Sequence, residues 1–213
     1  MSEAEDLKYV GTRPIRPDGV EKVTGRANFG ADETMPGMVY GQVVRSPYAH
    51  AKIRSIDTSK AEAIPGVVAV ITAQDFPDRS EFSLRRKMFN DNIIASDKVV
   101  YHGHAVAAVA ATSTSIARLA GDAIEVDYDV LEPVVDVLKA MDENAPLLHE
   151  GLYTEGLPEK PLNPSNISNT MTISRGDAEK AFADADEIVE RTFVTPMVHQ
   201  GYIEPHACVA SYT

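Results

Sequence analysis

The most regular stretch of hydrophobic and polar positions covers residues 99–130, VVYHGHAVAAVAATSTSIARLAGDAIEVDYDV. Its run of small apolar residues, Ala105–Ala111, predicts a strand buried on both faces. The Thr/Ser cluster from Thr112 to Ser115 can cap a helix. Ile116, Leu119, Ala120 and Ala123 then fall at i, i+3, i+4 and i+7, one face of a 3.6-residue period. From Ile124 the period becomes two: Ile124, Val126 and Tyr128 alternate with Glu125, Asp127 and Asp129, as in a strand with one wet face. A crossover this short predicts a right-handed connection between two parallel strands.

A similar pattern precedes it. Residues 38–45 predict a strand, the SPYAHA turn leads to a second at 51–56, and Asp57 or Thr58 can cap a short helix through Ile64. Pro65-Gly66 ends that helix, and β-branched Val67–Thr72 predicts a further strand. Two strand–helix–strand crossovers sharing one sheet are therefore expected. Between them, the polar residues 75–97, with Arg85, Arg86 and Lys87 together, predict a surface excursion.

The flanks are less regular. Residues 1–37 carry many Gly and Pro positions and predict an arm. Its Arg13, Arg16, Lys22 and Arg26 read as solvated loop charges, with contact to an acidic neighbour or a phosphate as the alternative. Residues 136–141 predict a helical turn, and 142–175 lose periodicity as a linker would. Helix returns at 176–185, where Ala178, Ala181, Phe182 and Ala185 share a face. Residues 187–194 predict a strand, and another is expected from Ala207. An element begun so near the last residue predicts an incomplete domain, 176–213, completed elsewhere.

Composition narrows the function classes. A hydrophobic content of 44% suits a globular protein, and a net charge of -12 argues against a partner bound through nucleic-acid phosphates. The start MSEAEDLK lacks the apolar core of a secretory signal. The longest uncharged run, 99–117, contains Tyr101, His102, His104 and a Thr/Ser cluster, which argues against a membrane span. Cys208 is the only cysteine, which excludes an internal disulfide, a cysteine metal cage and an iron–sulfur site held by this chain. Its apolar neighbours predict a buried, inert thiol. A soluble, cytoplasmic protein is expected.

Two constellations carry possible chemistry. His102 and His104 have the spacing of two imidazoles on one strand face, as in some zinc sites, but no third or fourth ligand lies near in sequence. Hydrogen-bonded structural histidines are the favoured reading. In HQGYIEPH, His199 to His206, Glu204 and His206 could ligate a metal or act as base and acid. Pro205 excludes helix there, and with it a zinc-protease geometry. The segment either lines a site or ties a strand by hydrogen bonds. No G-x-G-x-x-G, P-loop or G-x-S-x-G sequence occurs.

Four blocks together resemble the molybdopterin-binding large subunit of the xanthine dehydrogenase and aldehyde oxidase type. They are GVEKVTGRANFGAD from Gly19, VVRSPYAHAKIRSIDTSKAEAIPGVVAVITAQDFP from Val43, YHGHAVAAVAATSTSIARLAGDAIEVDYDVLEPVVDV from Tyr101, and HQGYIEPHACVA from His199. The resemblance implies an α+β fold: an α/β hammerhead domain at 38–141, a mixed sheet with short crossover helices, followed by the start of a molybdopterin-binding domain at 176–213. It implies hydroxylation of an aldehyde or N-heterocycle with water as oxygen source. The cofactor would be molybdenum with a pyranopterin, not bound by this chain alone. Electrons would pass to iron–sulfur and FAD groups in partner subunits, within a hetero-oligomer that also contains the rest of the molybdenum subunit.

The family's glycine-rich cofactor loops and catalytic glutamate are absent from this sequence, so no catalytic or metal-ligating residue is assigned. Within the matched part the resemblance implies Gln200, with Val198 as the other register, as the glutamine near the molybdenum's oxo ligand. Tyr202 and Glu204 are the implied substrate-side residues. The alternative expectation is a non-catalytic module that serves assembly or docking in such a complex.

Overall fold

The computed structural model describes residues 8–76, 83–203 and 206–212. In chain order the elements are α1 (Gly19–Val23), β1 (Tyr40–Arg45), β2 (Ala51–Asp57), α2 (Ser59–Glu62), β3 (Val67–Thr72), α3 (Leu84–Ile93), β4 (Lys98–Val99), β5 (Ala105–Ala111), α4 (Thr114–Asp122), β6 (Glu125–Val130) and α5 (Ala178–Ala183). The chain divides into two units, Met38–Glu190 and a second made from Met1–Gly37 with Arg191–Thr213.

The α+β class holds, but the strands pair differently from the expectation. They form two three-stranded sheets, ordered β1-β5-β3 and β4-β2-β6, in place of one mixed sheet. Among the described residues every strand pair is antiparallel. Both strand–helix–strand units, β2–α2–β3 and β5–α4–β6, step from one sheet to the other, so neither joins parallel neighbours. The reason lies in β5, both of whose edges are taken by antiparallel β1 and β3. The strand after α4 must therefore pair elsewhere. It does so on β2, where Lys52 faces Asp129 and Arg54 is ion-paired to Asp129.

Helix α4 is also turned relative to its expected face. Ser113 caps it by accepting the Ile116 N–H, as the Thr/Ser cluster predicts. The residues facing inward are Ala117, Ala120 and Gly121, while Leu119 is 59% exposed. Helix and sheet approach so closely that only small residues fit: a Cβ on Gly121 would sit 3.0 Å from Gln42 Cγ. Size, rather than hydrophobicity, decides which face is buried. One core cluster joins Ala61, Ala107, Val109, Ala120 and Ile124; a second joins Ala51, Ala95, Val99 and Val106. Val44, Ile56 and Val126 pack against both, which ties the two sheets together.

The polar stretch after β3 contains a helix, α3, opened by Ser83 accepting the Arg86 N–H. Residues 142–174 hold no helix or strand but are tied by hydrogen bonds. Asn166 accepts the Leu148 N–H at 3.0 Å and donates to the carbonyls of Ala140 (3.1 Å) and Pro146 (3.0 Å). Glu155 and Asn169 form an isolated bridge. The strands expected at 187–194 and from Ala207 do not form among the described residues. A strand needs a neighbour for its backbone hydrogen bonds, and this extended chain has none among the described residues. Val189 is 78% and Phe193 86% exposed.

Candidate functional site

The segment from His199 belongs to the smaller unit. Its Gly201 has φ +66, which a side chain would strain, and its N–H donates to His199 Nδ1 at 3.0 Å. That tight turn brings the rings together: His199 lies 5.0 Å from Tyr202, and Tyr202 stacks on His206 at 4.6 Å with 10° between planes. Gln200 is exposed beside them. Glu204 lies outside the described residues. Cys208 is exposed, against the expectation of a buried thiol; the strand expected from Ala207, of which it would be part, does not form among the described residues. Near it, Gly30 approaches Ala207, whose carbonyl oxygen would lie 3.4 Å from a Cβ there.

The side chains present do not amount to a cradle for a pyranopterin. One exposed amide and three neighbouring rings, of which Tyr202 and His206 are stacked, can form a wall. The many polar atoms of such a group would require further donors. Among the described residues no set of three or more His, Cys, Asp and Glu is placed to hold a metal.

His102 and His104 do not share a face. Gly103, with φ +83, turns the chain between them; His102 is exposed and His104 fully buried. The His104 ring uses both nitrogens: Nδ1 accepts the Val100 N–H at 3.3 Å, and Nε2 lies 2.6 Å from the Asp91 carbonyl. That arrangement specifies the neutral ring with its proton on Nε2. Burial pushes its pKa down, against an opposing pull from Asp91.

Two further histidines escaped the pattern reading. His50, at the head of β2, is buried; its Nδ1 lies 2.7 Å from the Glu132 carbonyl, and its Nε2 has no partner among the described residues. His149 lies beside the Lys98–Glu150 ion pair (2.8 Å), and burial followed by the Lys98 charge pushes its pKa down. His149 and His104 both line a cavity of about 280 Å³ with Asp91, Asp97, Lys98 and Glu150. A larger cavity of about 710 Å³ opens between α3 and residues 151–169. Single histidines within apolar or irregular surroundings leave no periodic signal, which is why sequence could not find them.

Residues 24–132 match the family model for the aldehyde oxidase and xanthine dehydrogenase a/b hammerhead domain, and residues 160–213 match the molybdopterin cofactor-binding domain. The chain belongs to the aldehyde oxidase and xanthine dehydrogenase family. It is 34% identical over 98% of its length to the nicotinate dehydrogenase large molybdopterin subunit of Eubacterium barkeri, covering 45% of that protein. To one subunit of a probable xanthine dehydrogenase of Bacillus subtilis it is 38% identical over 92% of its length, covering 24%. To the carbon monoxide dehydrogenase large chain of Afipia carboxidovorans it is 35% identical over 98% of its length, covering 26%. The chain thus spans less than half the length of these relatives. Among solved structures, a Cu,Mo-CO dehydrogenase matches with TM-score 0.56 and 39% identity over 69% of this chain and 19% of that one. The aldehyde oxidoreductase of Desulfovibrio gigas matches with TM-score 0.55 and 32% identity over 64% of this chain and 16% of that one.

Proposed function

We propose that this chain supplies the hammerhead domain and one wall of the active site in a molybdenum hydroxylase. The reaction is oxidative hydroxylation of an aldehyde or N-heterocycle, with oxygen from water and electrons leaving through iron–sulfur clusters to FAD. The supporting observation is the succession of two family matches, hammerhead then cofactor-binding domain, in one chain. The relatives are named as subunits or chains of dehydrogenases, which supports a hetero-oligomer with iron–sulfur and FAD subunits.

In this reading Gln200 would line the wall on the molybdenum side, and Tyr202 and Glu204 would lie on the substrate side. The turn at Gly201 supports the assignment by presenting Gln200 and Tyr202 from one short segment. The domain division proposed is an arm at 1–37, the hammerhead at 38–141, a linker at 142–175 and the molybdenum domain from 176. No helix among the described residues is long and apolar enough to cross a membrane, and the cytoplasm is the compartment proposed.

Co-expression with the remainder of the large subunit tests this reading. The product should carry molybdenum, and Gln200→Ala in it should lower kcat by roughly tenfold or more while leaving the metal bound. A metal-free assembled complex would refute the reading and leave an assembly module.

A further inference from the structure

Helix α3 has two unlike sides. Leu84, Met88 and Asp91, at i, i+4 and i+7, line the cavities beneath it. The other side carries Phe89 and Ile93, one turn apart and both exposed, Phe89 to 69%. The helix also opens on three consecutive cations, Arg85, Arg86 and Lys87. The helical period places Arg85 and Arg86 on the side of Phe89, one turn before it. Tyr101 Oη donates to the Asn92 carbonyl at 3.3 Å, and His104 Nε2 lies 2.6 Å from the Asp91 carbonyl. The helix end is therefore tied down, and its basic, apolar side is presented as a fixed surface. It makes no extensive packing contact with any other described helix or strand.

A surface of opposite character lies in the same unit, Met38–Glu190. After β6, Val135 is 84% exposed and Val137 and Leu138 are exposed beside it. Val135 lines a concavity of about 700 Å³ with the carboxylates Glu132, Asp136, Asp142 and Glu143, and Lys139 is the one cation among its lining residues. The Asp136 carboxylate accepts the Leu138 and Lys139 N–H groups at 2.8 and 3.0 Å, which fixes the turn. Glu132, Asp142 and Glu143 make no ion pair among the described residues. Apolar side chains this exposed and this close in sequence mark an interaction surface.

We propose that the outer side of α3 docks in this acidic, apolar concavity of a second copy of the chain. Phe89 and Ile93 are the anchors against Val135 and Leu138, and the basic start of the helix lies against Asp142 and Glu143. A second copy is the occupant because each chain carries both halves of the contact. Neither half is covered within one chain, where Phe89 and Val135 stay exposed. Two copies related by a two-fold axis make the contact twice, α3 of each on the concavity of the other. The mode is that of an amphipathic helix laid in a groove through anchors one turn apart. Copies with net charge -12 repel in general, so the locally basic helix decides which surfaces can meet.

Sedimentation equilibrium of the full chain tests the contact. The wild type should show a concentration-dependent monomer–dimer equilibrium, and Phe89→Glu should weaken the dimer by about tenfold or more. Arg85→Glu with Arg86→Glu should do the same, and acidic residues in the first turn suit the helix. Asp142→Lys with Glu143→Lys, both at exposed positions, should also weaken it. General repulsion predicts the opposite for that pair, because it lowers the net charge. Mixing the two charge-reversed variants should restore dimers, since each helix then meets its complement on the other chain. A wild type that stays monomeric at its highest soluble concentration overturns the proposal. So does a dimer indifferent to both reversals, or a mixture no better than its parts. Protection of β5 amides in hydrogen exchange shows that each variant is folded; if Phe89→Glu is not, the charge-reversed variants and their mixture decide.

Discussion

Asn166 offers the sharpest test of how residues without regular secondary structure are held in place. Its side chain makes three hydrogen bonds, to the Leu148 N–H and to the carbonyls of Ala140 and Pro146. Truncation in Asn166→Ala removes all three at once. At about 1 kcal/mol net for each half-buried bond, and less for the exposed contact to Pro146, the cost is about 2–3 kcal/mol. Asn166→Asp separates the roles. It keeps the acceptor for Leu148 but points a carboxylate oxygen at two carbonyls, so its cost at neutral pH should equal or exceed that of alanine. Urea denaturation gives the totals, and hydrogen exchange at Leu148, Glu155 and Ser165 localises the loss. A variant within about 0.5 kcal/mol of wild type would refute the account of Asn166 as the fastener of this region.

Other outcomes follow from the same geometry. Gly156→Ala should abolish protection around the Glu155–Asn169 bridge, because φ is +79 and the new Cβ would lie 2.0 Å from the Thr170 carbonyl oxygen; unchanged exchange there would contradict it. Limited proteolysis should cut the exposed segment 191–203 first in the chain alone and spare it in the assembled complex. The chain purified alone should carry no molybdenum, measured by metal analysis. Since burial and Lys98 both lower the His149 pKa, His149 favours the folded state above about pH 6.5 and that contribution is lost as pH falls. His149→Gln should flatten this part of the stability–pH curve.

What the sequence made legible was local. The bounds of β3 and β5, the Ser113 cap and the alternation of β6 follow from periodicity and capping chemistry that act within a few residues. Which sheet each strand joined was not legible, because pairing depends on which edges are already occupied. The buried face of α4 was misjudged for a related reason: close approach at Gly121 rewards small residues over hydrophobic ones. The unformed strand at 187–194 has the right alternation and lacks a neighbour among the described residues. Of the candidate site, the His199–Tyr202–His206 grouping follows from a glycine turn that sequence can suggest, whereas the burial of His50 and His104 and the half-burial of His149 are products of distant packing.

The central claim is that this chain builds one wall of a water-dependent hydroxylase. The direct measurement is turnover of an aldehyde or N-heterocycle panel by the assembled complex in ¹⁸O-labelled water under single-turnover conditions. The account predicts one labelled oxygen in the product, with Gln200→Ala slowing the step. Oxygen drawn from any other source, or turnover indifferent to Gln200, Tyr202 and Glu204 substitutions alike, would contradict it.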